Sequence, residues 1–139
     1  MPGWLTEHRL DPTPLLAEVA GDGCGATVLF LGTVRSSEAD GDIEGIDYSA
    51  YGAMAEAEFD RIVAEARERW PEARIALRHR TGWVPVGETS VAIAVACPHR
   101  AAAYEASRYV IEETKTRVPL WKQERLASGE TRWAGSAHA

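Results

Sequence analysis

Apolar residues along the chain change their period several times, and each change predicts an element. Ala26 to Val34, ATVLFLGTV, is a nearly continuous apolar run with β-branched and aromatic members, which predicts a strand buried on both faces of a sheet. Glu88 to Cys97, ETSVAIAVAC, is apolar enough for a second strand in the sheet centre. Gly45 to Tyr51 predicts a strand in which Ile46, Tyr48 and Ala50 alternate with polar positions, and Ala73 to His79 another with Ile75 and Leu77 on one face.

The period lengthens between Met54 and Trp70, where Ala55, Phe59, Ile62, Val63, Ala66 and Trp70 recur at helical spacing opposite Glu and Arg; Pro71 stops this amphipathic helix. A second long helix is predicted from Pro98, at its first position, to about Thr116, with Val118-Pro119 forcing an extended exit. A short helix is expected at Pro14 to Ala20 with Thr13 as N-cap, after a lead-in over residues 1 to 13. Gly21 to Gly25 and Thr81 to Gly87 have turn composition, and residues 36 to 43 that of an acidic surface loop. Leu120 to Leu126 and Thr131 to Ala134, joined by Ser128-Gly129-Glu130, read as a closing hairpin. The whole, residues 1 to 139, is expected to be one α+β domain: a mixed, mainly antiparallel β-sheet packed by two main helices, plus the C-terminal β-hairpin.

Composition narrows the function. With 139 residues, 45% of them hydrophobic, the chain can bury a sizeable core without a metal or disulfides. A net charge of −6 argues against nucleic acid as partner, since duplex binding needs a broad field of Lys and Arg. Two cysteines make no disulfide framework, and no charged-then-apolar leader or 18-residue apolar run is present, so no membrane association and a cytoplasmic location are expected. Residues 97 to 125 depart from the overall balance: six basic residues against four acidic ones leave about +2, so the positive charge is gathered there.

Within that stretch His99 and Arg100 would open a helix, where unpaired amides and the macrodipole favour an anion such as phosphate or carboxylate; the structural alternative is a solvated or ion-paired pair. Lys115 falls in the last helical turn, where a lysine often serves only as a cap. Lys122 follows the proline bend and alternates with Trp121, so with Trp121 inward Lys122 faces the opposite side. Repulsion between two such ammonium groups would lower a lysine pKa and make it a better proton donor or nucleophile. Arg35 leaves a strand end, a usual place for ligand contacts, unless Glu38 or Asp40 neutralises it. Cys97, ending an apolar strand, is read as packing and not as a nucleophile despite the nearby His99. His8, His79, His99 and His138 show no metal-ligand spacing, so no metal is expected.

Several of these residues recur in a known order. FLGTVR (Phe30 to Arg35), HRTG (His79 to Gly82), Gly87-Glu88, HRAAAYEA (His99 to Ala106), KTRVPLWKQE (Lys115 to Glu124) and Trp133 together resemble the large, catalytic subunit of molybdopterin synthase over about residues 26 to 134. The resemblance implies a sulfurtransferase of molybdenum cofactor biosynthesis, which converts cyclic pyranopterin monophosphate to molybdopterin. The implied partner is a small ubiquitin-like sulfur-carrier subunit with a C-terminal Gly-Gly thiocarboxylate. The implied assembly is a heterotetramer around a central homodimer, with no cofactor held by the protein itself. By resemblance, Lys115 and Lys122 are catalytic, and Thr33, Val34, Arg35, His99, Arg100, Gln123 and Glu124 bind substrate. The acidic loop 36 to 43 carries no motif of that family. Two rivals remain at this stage: a non-catalytic module that binds a ubiquitin-like protein, and an unrelated phosphate-ester or acyl-transfer enzyme using the same anion pocket.

Overall fold

The alternation of large and small side chains in VAIAVAC sets the layering of the molecule. In the computed structural model, which describes residues 3–36 and 41–134, the elements run β1 (Leu5–Thr6), α1 (Pro12–Val19), β2 (Ala26–Thr33), β3 (Ile43–Ala50), α2 (Gly52–Arg69), β4 (Arg74–Arg80), β5 (Gly82–Pro85), β6 (Thr89–Cys97), α3 (Arg100–Arg117), β7 (Leu120–Leu126) and β8 (Thr131–Trp133). Successive side chains of a strand face opposite sides. The large residues of β6, Val91, Ile93, Val95 and Cys97, therefore enter one cluster with Phe59, Ile62 and Val63 of α2 and Ala103, Ala106 and Val110 of α3. The alanines between them, Ala92, Ala94 and Ala96, meet Leu15 and Val19 of α1 on the other face. Small side chains let one short helix approach closely, while the larger ones fill the space beneath two long helices.

The α+β class is as expected, with the strands divided between two four-stranded sheets of order β1-β4-β6-β2 and β5-β3-β7-β8. The first contains one parallel pair, β1 with β4; the second is antiparallel throughout. The hairpin β7-β8 forms as predicted, with Gln123 opposite Trp133. The second sheet has its own smaller core of Val34, Ile43, Ile46, Tyr48 and Val84.

Several local expectations are corrected. β2 is not buried on both faces: it is the edge strand beside β6, and Leu31 is 41% exposed. A continuous apolar run cannot distinguish a central strand from an edge strand whose exposed side is still apolar. Helix α3 begins at Arg100, and His99 is its N-cap with extended backbone, so Pro98 precedes the helix instead of opening it. Helix α1 starts at Pro12 because the Asp11 carboxylate accepts from the Thr13 amide at 3.0 Å, taking the capping role assigned to Thr13. The region read as a turn contains β5, which pairs with β3 through Trp83 and Val84. The lead-in contributes β1, whose short pairing with β4 no local pattern announces. Gly82, at φ +88°, lies where the chain leaves β4 for the other sheet, a left-handed conformation that favours glycine. Residues 37–40 of the expected acidic loop lie outside the described residues.

Arg117 ties α3 to α2, bonding Glu58 and Glu65 of α2 and Glu113 of its own helix. Its hydrogen bonds and that of Tyr109 hold the Glu65 carboxyl down at about 2. Among the described residues no helix is long and apolar enough to cross a membrane.

The layering yields a contrast in stability. Ile93→Ala, in the centre of β6, should cost about 2–5 kcal/mol, whereas Leu31→Lys on the open side of β2 should change stability by no more than about 0.5 kcal/mol. Urea unfolding of both variants followed by circular dichroism would check it; equal losses would contradict the edge assignment.

Candidate functional site

A cavity of about 730 Å³ opens where the two sheets meet beneath the last turn of α3, within the size range of small-molecule sites. Its lining comes from both sheets. At the exit of β2 the register with β6 shifts between Gly32 and Thr33, and such a bulge re-aims the strand end. Gly32 lies so close to Val91 that an added Cβ would be 2.7 Å from Val91 Cγ1. Val34 is then pinned: its amide donates to the Glu88 carbonyl at 3.0 Å and its carbonyl accepts from the Gly87 amide at 2.8 Å. Thr33, Val34 and the exposed Arg35 thereby line the cavity.

Helix α3 supplies Ile111, Thr114 and Lys115 from its C-terminal turns. The chain then bends at Val118-Pro119 and enters β7, whose alternation delivers Leu120, Lys122 and Glu124 to the cavity. Trp121 is only half-buried and meets Tyr51 edge to face at 5.4 Å between ring centres. The predicted opposition of Trp121 and Lys122 therefore holds, although the tryptophan packs beside an exposed tyrosine and not in the main core.

Charge pairing separates three of the four cations in the cavity lining, all but Arg132, from most others. Arg61, Arg78, Arg80, Arg108, Arg117 and Arg132 all make ion pairs. Among the described residues Arg35, Lys115 and Lys122 make none within 4.0 Å. Glu124, the carboxylate in the lining, is held by Arg132 at 2.6 Å. Burial pushes the Lys122 pKa down, the charge of Lys115 pushes it further, and Glu124 opposes both. This is the lysine–lysine repulsion expected from the sequence.

The floor of the cavity holds His79, only 5% exposed. Its Nδ1 lies 2.8 Å from the Arg80 carbonyl oxygen, a group that can only accept, so Nδ1 carries the hydrogen and Nε2 is left with its lone pair. Burial drives the imidazole pKa down to about 4, with the nearby Lys122 and Lys115 adding to the effect against the Arg80 hydrogen bond. The edge of Tyr48 packs on the same ring at 5.2 Å between centres, and burial raises the Tyr48 phenol pKa.

Six of the nine sequence-derived site residues thus meet in one cavity: Thr33, Val34, Arg35, Lys115, Lys122 and Glu124. His99 and Arg100 do not join them. They stand exposed at the opposite end of α3, about 22 Å along the axis from Lys115 at the usual helical rise. Gln123 is absent from the lining, as strand alternation requires of the residue between Lys122 and Glu124. The basic stretch also divides: Arg117 serves the helix pair, Arg108 pairs with Glu112 at 2.9 Å, and Arg125 lies over the Trp83 ring at 4.3 Å. Cys97 sits in the main core, where burial raises its thiol pKa, as its packing role predicts. No group of three or more metal-ligating side chains occurs among the described residues. The sequence reading missed Tyr48, His79 and Ser90 as lining. For His79 a signal existed: it continues the apolar face of Ile75 and Leu77 at strand spacing, a polar residue on a core-facing position.

Comparison with known proteins follows the same lines. The sequence model described as MoaE protein matches residues 5–117. The chain belongs to the MoaE protein family. It is 43% identical over 127 residues to the molybdopterin synthase catalytic subunit of Culex quinquefasciatus, covering 91% of this chain and 81% of the relative. It is 44% identical over 131 residues to that of Halalkalibacterium halodurans, covering 94% and 83%. The crystal structure of molybdopterin synthase from Staphylococcus aureus superposes with a TM-score of 0.90 at 32% identity, with 96% of each chain covered. A MoaE protein from Burkholderia ambifaria gives 0.81 at 28% identity, covering 97% of this chain and 88% of the other. The chain thus shares its overall fold with both solved structures.

The buried imidazole makes stability depend on pH. His79 titrates lower in the folded chain, about 4, than in the unfolded one, so between about 6.5 and that value the unfolded state binds more protons and stability falls as pH falls. Lowering pH from 7 to 5 should cost about 2 kcal/mol through this residue. Urea unfolding of wild type and His79→Asn at both pH values would measure the difference; an equal pH dependence in the two would contradict it.

Proposed function

We propose that this chain is the catalytic subunit of a molybdopterin synthase, moving sulfur from the thiocarboxylate of a small ubiquitin-like carrier to cyclic pyranopterin monophosphate. The observation that carries this reading is the meeting of Arg35, Lys115 and Lys122 in one cavity, none of them ion-paired among the described residues. Both reactants are anions: one bears a phosphate ester, the other a thiocarboxylate. Bringing them together requires cations not already committed to carboxylates of the protein.

In this reading Arg35 holds the phosphate beside Thr33 and Val34. Lys115, at the end of α3, orients the thiocarboxylate and stabilises charge as sulfur attacks the pterin side chain. Lys122, whose pKa is already lowered, donates a proton or clamps the anion as the cyclic phosphate opens. Glu124 keeps its place through Arg132. His99 and Arg100 lie too far along α3 to reach their own cavity, so a substrate contact from them requires a second copy of the chain. That fits the central homodimer of a heterotetramer with a carrier at each end. The protein itself holds no cofactor, the pterin being substrate, and works in the cytoplasm.

The test mixes the purified chain with a thiocarboxylated Gly-Gly carrier and the cyclic pterin and assays dithiolene product. Wild type should turn over. Lys115→Ala should lose product by at least about 100-fold while still capturing the carrier, and Arg35→Ala should act mainly by raising KM for the pterin. No product from wild type with a competent carrier would reject the reading. Loss of carrier capture in Lys115→Ala, in place of lost turnover, would favour a non-catalytic module.

A further inference from the structure

The half-buried ammonium of Lys122 has no carboxylate, yet a charged group taken from water needs an acceptor. Glu124 is engaged by Arg132, and the Ser90 hydroxyl donates to the Gly32 carbonyl at 3.2 Å. The position of His79 relative to Lys122 follows from strand pairing. Lys122 stands opposite Tyr48 across β3 and β7, so both side chains share one face. On its other side Tyr48 is paired with Gly82, which has no side chain. His79 packs on the Tyr48 ring.

With Nδ1 committed to the Arg80 carbonyl, Nε2 is an acceptor without a hydrogen-bond partner among the described residues. Among the described residues the one fully buried side-chain nitrogen or oxygen lacking a partner is Arg80 Nε. His79 Nε2 is therefore not sealed in protein but opens on the cavity that His79 lines.

We propose that His79 is a positioning residue for Lys122: the two are not hydrogen-bonded as the structure stands, but rotation of the lysine stem brings the ammonium to the open Nε2 lone pair, which holds it in the cavity without neutralising it. A carboxylate in the same place would orient the lysine equally well but would cancel its charge and repel an anionic ligand. A neutral imidazole leaves the positive charge available. The flexible four-carbon stem of lysine gives the reach, and also explains why an orienting acceptor is needed. The depressed titration of His79 in the presence of both lysines agrees with their proximity.

Two measurements decide it, the second resting on the proposed sulfur transfer and the first independent of it. In long-range proton–nitrogen NMR spectra of the full chain with labelled histidine, His79 should be the Nδ1–H tautomer, and Lys122→Met should move its Nε2 resonance. An Nε2–H tautomer, or an Nε2 resonance unaffected by Lys122→Met, overturns the proposal. In the synthase assay His79→Asn keeps a donor toward the Arg80 carbonyl but withdraws the cavity acceptor, and should lower kcat by up to about 100-fold with little change in KM for the pterin. His79→Gln, whose amide oxygen can occupy the Nε2 position, should recover at least about tenfold of that loss. Equal losses in the two folded variants, or an effect confined to KM, overturn it. If wild type makes no product, the functional reading fails while the NMR result still decides the role of His79.

Discussion

Repulsion among like charges facing one cavity is the constraint on which the rest of the structure depends. Lys115 and Lys122 come from different elements and would separate if either element could relax. Neither is free to do so. Helix α3 is fastened to α2 by the Arg117 network and packed on the large side chains of β6, while β7 is hydrogen-bonded between β3 and β8. The bend at Val118-Pro119 connects these two anchored elements over a few residues, with Val118 itself buried in the main core. A fold whose net stability is small beside its opposing terms thus spends part of it holding cations where an anion can use them.

The surrounding charge arrangement preserves that condition. The chain carries an excess of acidic residues, but among the described residues the carboxylate in the cavity lining, Glu124, is held by Arg132, and Glu88, beside the pinned Val34, pairs with Arg80 at 2.7 Å. The buried polar group beside the lysines is an imidazole that burial keeps uncharged, so the floor adds neither a competing anion nor a further cation. The seam between two sheets suits this arrangement, because it draws strand ends, a helix end and a hairpin to one place without requiring any of them to carry the whole site.

The elements were legible wherever local period was strong. The face of α2 follows from Phe59, Ile62, Val63 and Ala66, and the hairpin from its turn residues. The size alternation along β6 holds the whole layering in seven letters, once the positions of the helices are known. The edge status of β2 was not legible, since Leu31 looks like its buried neighbours. Within the site, the motif-bearing Arg35, Lys115, Lys122 and Glu124 converge as the sequence suggests. His99 and Arg100 belong to the same basic stretch yet end up at the far end of the same helix, because proximity in sequence becomes distance along an α-helix at about 1.5 Å per residue.

What the sequence determined by itself is therefore local: where the longer strands and helices run, and that Lys122 and Glu124 share a face while Trp121 and Gln123 take the other. Backbone geometry sets those periods without reference to the rest of the chain. Tertiary structure alone decided which end of α3 meets the strand exits, which strand lies at an edge, and that His79 sits neutral beneath two unpaired lysines. Those outcomes depend on contacts between segments far apart in the chain, as when Arg35, His79 and Lys122 are drawn to one cavity, and on the burial and mutual repulsion that arise only after those segments have met.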